Sequence, residues 1–251
     1  MTERTLPIQH LATVQANERL IVALDVPTIE QARTLVEQLD GLISFFKIGL
    51  GLHLAAGLEG FIDFLLAKNK KVFIDFKYND IGETVEKAVE QAAMRDITFV
   101  TVHGNGGMIR AAVKGRGHKS SPKIFIVTVL TSLDAVDIKD LGFPCSVERL
   151  VLHRAQSALD AGCDGVIASG REAQAIKKIT QDRLLIVSPG IRPKGASSDD
   201  HKRAASPTEA IEAGADYLVV GRPIIHTPTP RHAAERILEE MRVAFDKRSQ
   251  G

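Results

Sequence analysis

The stretch LIVALDVPTIEQARTLVEQLDGLISFFKIG, residues 20–49, decides the architecture. Its two ends, Leu20–Val26 and Phe45–Gly49, are short runs rich in β-branched, aliphatic and aromatic residues and predict strands. Between them Ile29, Ala32, Leu35, Val36 and Leu39 recur at the i, i+3, i+4 spacing of one helical face, and Thr28 is placed to cap it. A helix that returns the chain between two strands makes those strands parallel.

The alternation continues to the C-terminus. Further strands are predicted at Lys71–Lys77, Thr98–His103, Lys123–Leu130, Gly165–Ser169, Leu184–Ser188 and Tyr217–Val220. Helices are predicted at Thr28–Leu39, Leu58–Ala67, Glu83–Arg95, Met108–Val113, Val147–Ala161, Glu172–Ile179, Thr208–Ala213 and Arg231–Phe245, with Gly162 and Gly214 at helix ends. Eight parallel strands with intervening helices in a chain of 251 residues fit an α/β fold of the closed (β/α)8 TIM-barrel type. An open doubly wound sheet would call for Gly-x-Gly-x-x-Gly after the first strand, and Asp25 stands where that fingerprint would begin. No Pro/Gly/Ser linker divides the chain, so residues 1–251 are read as a single domain, with 1–19 an N-terminal extension before the first strand. The longest loops, Ser132–Ser146 and Arg192–Pro207, follow strands and therefore open at the rim where barrel active sites form.

The composition narrows the function. With 32 Lys and Arg against 31 Asp and Glu, the net charge of +1 gives no global field for nucleic acid or an anionic membrane, so any anion must be met locally. No apolar run approaches the ~18–20 residues that cross a bilayer, and the first residues lack the apolar segment of a secretory signal, so a cytoplasmic protein is expected. Cys145 and Cys163 are too few for a disulfide scaffold, and the histidines show no metal-ligand spacing, so no metal is expected.

Parallel barrel strands are buried on both sides, and charges inside them need a reason. Asp25, Lys47, Asp75 and Lys77 are such charges. In Lys71–Lys77, Phe73, Asp75 and Lys77 share one face while Val72, Ile74 and Phe76 share the other, which must meet the helices. Asp75 and Lys77 therefore point into the barrel near its C-terminal mouth. The same parity turns Asp25 inward against Val22, Leu24 and Val26, and Lys47 inward against Phe46 and Ile48; Asp80 follows in the next loop. A salt-bridge plug would be an uneconomical filling, because buried ion pairs rarely stabilise more than apolar packing does. A lysine held as ammonium between carboxylates is an acid, suited to stabilise a carbanion and then protonate it. Asp75 would repel a departing anionic group by roughly 4 kcal/mol at ~4 Å and an effective dielectric near 20. Enzymes supply ~8–23 kcal/mol, so cationic stabilisation must take the larger share.

The second set of charges lies after the last two strands. Ser188-Pro189-Gly190-Ile191-Arg192 and Val220-Gly221-Arg222-Pro223 occupy the loops that often form a phosphate site in barrels. Arg222 offers a planar, permanently charged partner for phosphate oxygens, whereas Lys194 and Lys202 read as surface charge. His103-Gly104-Asn105-Gly106-Gly107 reads as a tight turn, with His103 a barrel residue and not a catalyst.

The set Leu24-Asp25-Val26, Phe46-Lys47-Ile48-Gly49, Asp75-x-Lys77-x-x-Asp80, Leu130-Thr131-Ser132, Pro189-Gly190-Ile191-Arg192 and Gly221-Arg222-Pro223 resembles the orotidine 5'-phosphate decarboxylase family in order and spacing over nearly the whole chain. The resemblance implies cofactor-free and metal-free decarboxylation of orotidine 5'-phosphate to uridine 5'-phosphate. It implies that Lys77 protonates C6, that Asp75 lies against the departing carboxylate, and that Lys47 and Asp25 hold the ribose hydroxyls. By the same resemblance Thr131 and Ser132 contact the pyrimidine, Pro189 belongs to the substrate pocket, and Arg192, Gly221 and Arg222 grip the phosphate. Asp80 and Thr84 would reach into the partner's site of a homodimer. Gly82 and Glu83 replace the family's usual Pro and Asn. His201 replaces its usual Gln, an exchange that removes the amide's paired donor and acceptor and predicts weaker substrate binding with chemistry retained. Two rivals remain at this point. One is the superfamily's Mg2+-dependent sugar-phosphate branch, which usually has Glu where Lys47 stands. The other is a non-catalytic phosphate-binding barrel.

Overall fold

In the computed structural model, which describes residues 15–193 and 203–250, eight parallel strands close a barrel in sequence order. They are β1 Leu20–Ala23, β2 Phe45–Gly49, β3 Lys71–Tyr78, β4 Phe99–Val102, β5 Lys123–Val127, β6 Gly165–Ile167, β7 Leu185–Ser188 and β8 Tyr217–Val220, and β8 pairs with β1 to close the ring. The main helices between and after them are α1 Ala16–Arg19, α2 Ile29–Gln38, α3 Leu58–Ala67, α4 Gly82–Met94, α5 Gly106–Arg116, α6 Ala135–Asp140, α7 Val147–Asp160, α8 Ala173–Thr180, α9 Pro207–Glu212, α10 Arg222–Ile225 and α11 Pro230–Gln250. The expected capping holds, since Thr28 Oγ1 accepts from the Gln31 amide at 3.2 Å, and Gly162 and Gly214 take φ of +79° and +113°.

Several boundaries differ from the sequence expectation. β1 and β5 stop at Ala23 and Val127 rather than at Val26 and Leu130, so the intervening residues form the rim. Ser132–Ser146 is not wholly loop, because Asp134 and Asp137 cap each other's backbone and nucleate the short α6. Arg222 opens α10, a turn of helix too short to leave a periodic signal.

Strand parity sorts the core into two compartments. Val22, Leu24, Phe46, Ile48, Val72 and Ile74 face the helices, while Ile21, Phe45, Phe73, Phe99, Phe125 and Tyr217 fill the barrel. Phe99 is the hub of this plug, its ring centroid 4.8 Å from Phe45, 4.6 Å from Phe125 and 5.2 Å from Tyr217. Edge-to-face and tilted contacts of this kind add to the burial of the rings. Gly165 is required by the plug, for a Cβ there would lie 2.6 Å from the Phe125 ring and 2.3 Å from the Leu185 carbonyl oxygen.

The opposite rim is pinned by a repeated device. Thr98 Oγ1, Asp164 Oδ2 and Asp216 Oδ2, each just before an even-numbered strand, accept the amides of Val72, Ile124 and Ile186 at 3.1, 2.9 and 2.8 Å. Each amide belongs to the second residue of the preceding odd-numbered strand. The two aspartates are balanced by Arg116 and by Lys177, the latter at 2.8 Å. A cavity of about 860 Å³ at this rim is lined by Arg19, Lys177, Asp216, Arg242 and Phe245 among others, far from the inward-facing charges of β2 and β3.

Candidate active site

The aromatic plug is the floor of a second cavity, of about 330 Å³, at the C-terminal mouth, and Phe73 joins the two. One side of this cavity carries Asp25, Lys47, Asp75 and Lys77. The other carries Pro189, Gly190, Arg192, Gly221 and Arg222, and an apolar wall of Val127, Val129, Ile167 and Val219 lies between. Thr131 and Ser132 also line it. The lining thus sets four cationic side chains against two carboxylates, a local bias toward an anionic ligand in a nearly neutral protein.

The four strand-end charges alternate in sign along a continuous chain of contacts. Lys47 Nζ lies 3.2 Å from Asp25 Oδ1 and 3.4 Å from Asp75 Oδ2, and Lys77 Nζ lies 3.0 Å from Asp75 Oδ1. The Lys47 and Asp75 side chains are only 10% and 14% exposed, so water screens this part of the chain little. Lys77 is held at φ +51°, in the left-handed region, at a cost of roughly 1–2 kcal/mol for a residue with a side chain. It sits in an irregularity of β3, where four residue steps from Ile74 to Tyr78 match two from Val100 to Val102. Bulges of this kind re-aim side chains next to active sites.

The phosphate-like end is built from two strand exits. Ile191 bridges Ala205 in parallel, and the Arg192 amide donates to the Ala205 carbonyl at 2.9 Å, closing the base of the loop that begins there. Arg192 is 9% exposed and its guanidinium donates to the Ile191 carbonyl at 2.9 Å. Arg203, at the far end of that loop, pairs with Glu172 and donates to the carbonyls of Val129 and Leu130 at 3.0 and 2.8 Å. It ties the loop after β7 to the segment that carries Thr131 and Ser132. Burial pushes the Glu172 carboxyl above its ordinary range, and Arg203 partly offsets the shift.

Not every expected residue reaches the cavity. Asp80 is exposed, its Oδ1 accepting from the Ile81 amide at 2.7 Å, and Thr84 is exposed in the first turn of α4. Neither lines this chain's own cavity. His201, together with Lys194, Asp199, Asp200 and Lys202, lies outside the described residues. His103 is likewise not in the lining; burial, with the charges of Arg154 and Lys77 nearby, holds its imidazole below the usual range and keeps it neutral at pH 7. The residue that sequence reading overlooked is Thr101 of β4. It is fully buried, accepts the Lys77 amide at 2.9 Å and donates to Asp75 Oδ1 at 2.9 Å. Its signal was a polar residue in an otherwise apolar strand, on the same face as Phe99.

Residues 18–237 match the sequence pattern of the orotidine 5'-phosphate decarboxylase / HUMPS family. The chain belongs to this family. Among its relatives in the family, a protein of Nitrobacter winogradskyi named orotidine 5'-phosphate decarboxylase is 56% identical over 226 residues, covering 90% of this chain and 93% of that protein. A protein of the same name from Methylococcus capsulatus is 47% identical, covering 91% of this chain and 93% of its own length. The crystal structure of orotidine 5'-phosphate decarboxylase from Lactobacillus acidophilus superposes with a TM-score of 0.78 at 35% identity, covering 89% of this chain and 99% of that one.

Proposed function

We propose that this protein is a carboxy-lyase that converts orotidine 5'-phosphate to uridine 5'-phosphate and CO2 in pyrimidine nucleotide biosynthesis. The observation that carries the reading is the unbroken Asp25–Lys47–Asp75–Lys77 chain facing two arginines across one cavity. A cavity of about 330 Å³ is of nucleotide size.

In this reading Arg192, Gly221 and Arg222 take the phosphate, with Pro189 and the apolar wall against the body of the nucleotide. Thr131 and Ser132 meet the pyrimidine edge, and Asp25 and Lys47 hold the ribose hydroxyls. The substrate carboxylate then lies beside Asp75. As the bond to the carboxyl carbon breaks, its electron pair stays on C6, CO2 leaves, and the Lys77 ammonium stabilises the carbanion before giving it a proton. The charges are in place before the reaction begins, so stabilisation requires little reorganisation. Phosphate contacts remote from C6 can supply binding energy that assembles the charged end.

The proposal includes no metal and no cofactor. Its support is that Lys47 Nζ already fills the place between two carboxylates that a divalent cation would take. It also includes a cytoplasmic homodimer in which Asp80 and Thr84 complete the partner's site. Their exposure, beside an Ile81 that is 70% exposed, supports that part.

The test is the loss of orotidine 5'-phosphate absorbance. Turnover is expected to be unchanged by EDTA, and Lys77→Ala is expected to lower kcat by roughly 10^3-fold or more without loss of fold. Turnover that appears only with added Mg2+, or a mild Lys77→Ala effect, contradicts the reading.

A further inference from the structure

Thr101 does not line the cavity, yet its hydroxyl is engaged on both sides by the charged chain. Val100 and Val102 face the helices, while Phe99 faces the barrel, so Thr101 shares the inward face of β4 with the plug and sits one layer above it. In a regular ladder Thr101 would lie opposite Asp75, but the pairing of β3 and β4 breaks between Ile74 and Tyr78. The Lys77 amide, displaced by that irregularity, donates to Thr101 Oγ1 at 2.9 Å instead of to a strand carbonyl. The same hydroxyl spends its one proton on Asp75 Oδ1, also at 2.9 Å. Asp75 Oδ1 is in turn the atom that Lys77 Nζ contacts at 3.0 Å.

We infer that Thr101 is a positioning residue for this reaction, an inference that rests on the decarboxylase reading above. Its two hydrogen bonds perform separate tasks. Accepting from the Lys77 amide holds that residue's left-handed backbone, which aims the ammonium into the mouth. Donating to Asp75 fixes the carboxylate plane, so that one oxygen meets Lys77 and the other faces Lys47. A serine would keep both bonds. A valine has the same outline and keeps neither, and it leaves a partly buried amide and a partly buried carboxylate oxygen each short of one partner. Misplacing a reacting group by about 1 Å can cost ~10^2-fold in rate, and loss of the partner that orients a metal ligand costs ~10–100-fold in metal sites, a guide to the size expected of an orienting hydrogen bond.

The experiment compares the wild type with Thr101→Val, Thr101→Ala and Thr101→Ser in steady-state turnover of orotidine 5'-phosphate, with binding of uridine 5'-phosphate measured in parallel. Thr101→Val and Thr101→Ala are expected to lower kcat by about 10- to 100-fold while KM and product affinity change by less than about threefold, since the phosphate and ribose contacts are untouched. Thr101→Ser is expected to recover kcat to within about threefold of the wild type. A structural role alone would lower thermal stability and leave kcat of the folded fraction unchanged, and that result overturns the inference. If Thr101→Val does not fold, the Ser and Ala pair decides, because equal kcat in those two variants overturns it as well. Wild-type protein without turnover refutes the decarboxylase reading and the inference with it, whereas turnover insensitive to the hydroxyl refutes only the inference.

Discussion

Gly49 follows Lys47 by two positions on β2 and therefore projects to the same inward side. A Cβ built there would lie 2.9 Å from Lys47 Nζ and 3.0 Å from Asp25 Oδ1. Its φ of −101° and ψ of −178° are open to any residue, so the backbone does not call for glycine; the ion pair does. Both atoms in the way are the ends of side chains and can yield. Gly49→Ala should therefore cost little stability, with Tm within about 3 °C of wild type, since about 1 kcal/mol corresponds to ~2–4 °C at this size. It should displace the ammonium from between Asp25 and Asp75 and lower kcat/KM by about tenfold or more. Thermal melts beside steady-state kinetics check this, and a variant of full activity would show that the Lys47–Asp25 contact is dispensable.

Three strand pairs, β3 with β4, β5 with β6 and β7 with β8, carry a side-chain fastening at the lower rim, and these fastenings were less legible than the strands. Period-two alternation in β2 and β3 was enough to place Lys47, Asp75 and Lys77 inside the barrel, because an apolar face of Phe46, Ile48, Val72 and Ile74 can only meet the helices. What parity could not reveal was the irregular pairing of β3 with β4, since a bulge leaves no mark in hydrophobic pattern. Thr101 went unread for that reason, and α6 because six residues hold too little periodicity, although Asp134 and Asp137 stand at capping-box spacing. The aspartates before β6 and β8 were also passed over. The repeated Ala-Gly-x-Asp at 161–164 and 213–216 was the available sign. Asp216 is 2% exposed and meets the Ile186 amide and Lys177 Nζ, each at 2.8 Å, with Arg248 at 3.5 Å. Asp216→Ala takes the buried carboxylate from the largely buried Lys177 ammonium, which keeps the Leu184 carbonyl at 3.0 Å and Asp182 at 3.9 Å, and leaves the Ile186 amide without its acceptor. It should destabilise the fold by about 3–5 kcal/mol, read as a loss of roughly 10 °C in Tm. The kcat of the protein that remains folded should be unchanged, because the site is built at the other rim.

The barrel supplies one continuous chain of four charges, yet two residues of the family motif stay outside it. Asp80 and Thr84 stand exposed beyond β3 on either side of Ile81, which is 70% exposed, and Leu54, which follows β2 at the same rim, is 91% exposed. In the proposed homodimer a twofold axis at this rim would cover these two apolar side chains on both subunits alike. In the proposed dimer each site would take Lys77 from one subunit and Asp80 from the other, and this can be tested without a structure of the assembly. Lys77→Ala and Asp80→Ala homodimers should each be nearly inactive. When the two are mixed and allowed to exchange subunits, every heterodimer contains one site in which both residues are damaged and one in which both are intact. Random exchange makes half of the dimers hybrid, so activity should rise to roughly a quarter of the wild-type value per subunit. If Asp80 served its own subunit, no hybrid could contain an undamaged site and the mixture would stay as inactive as its parts.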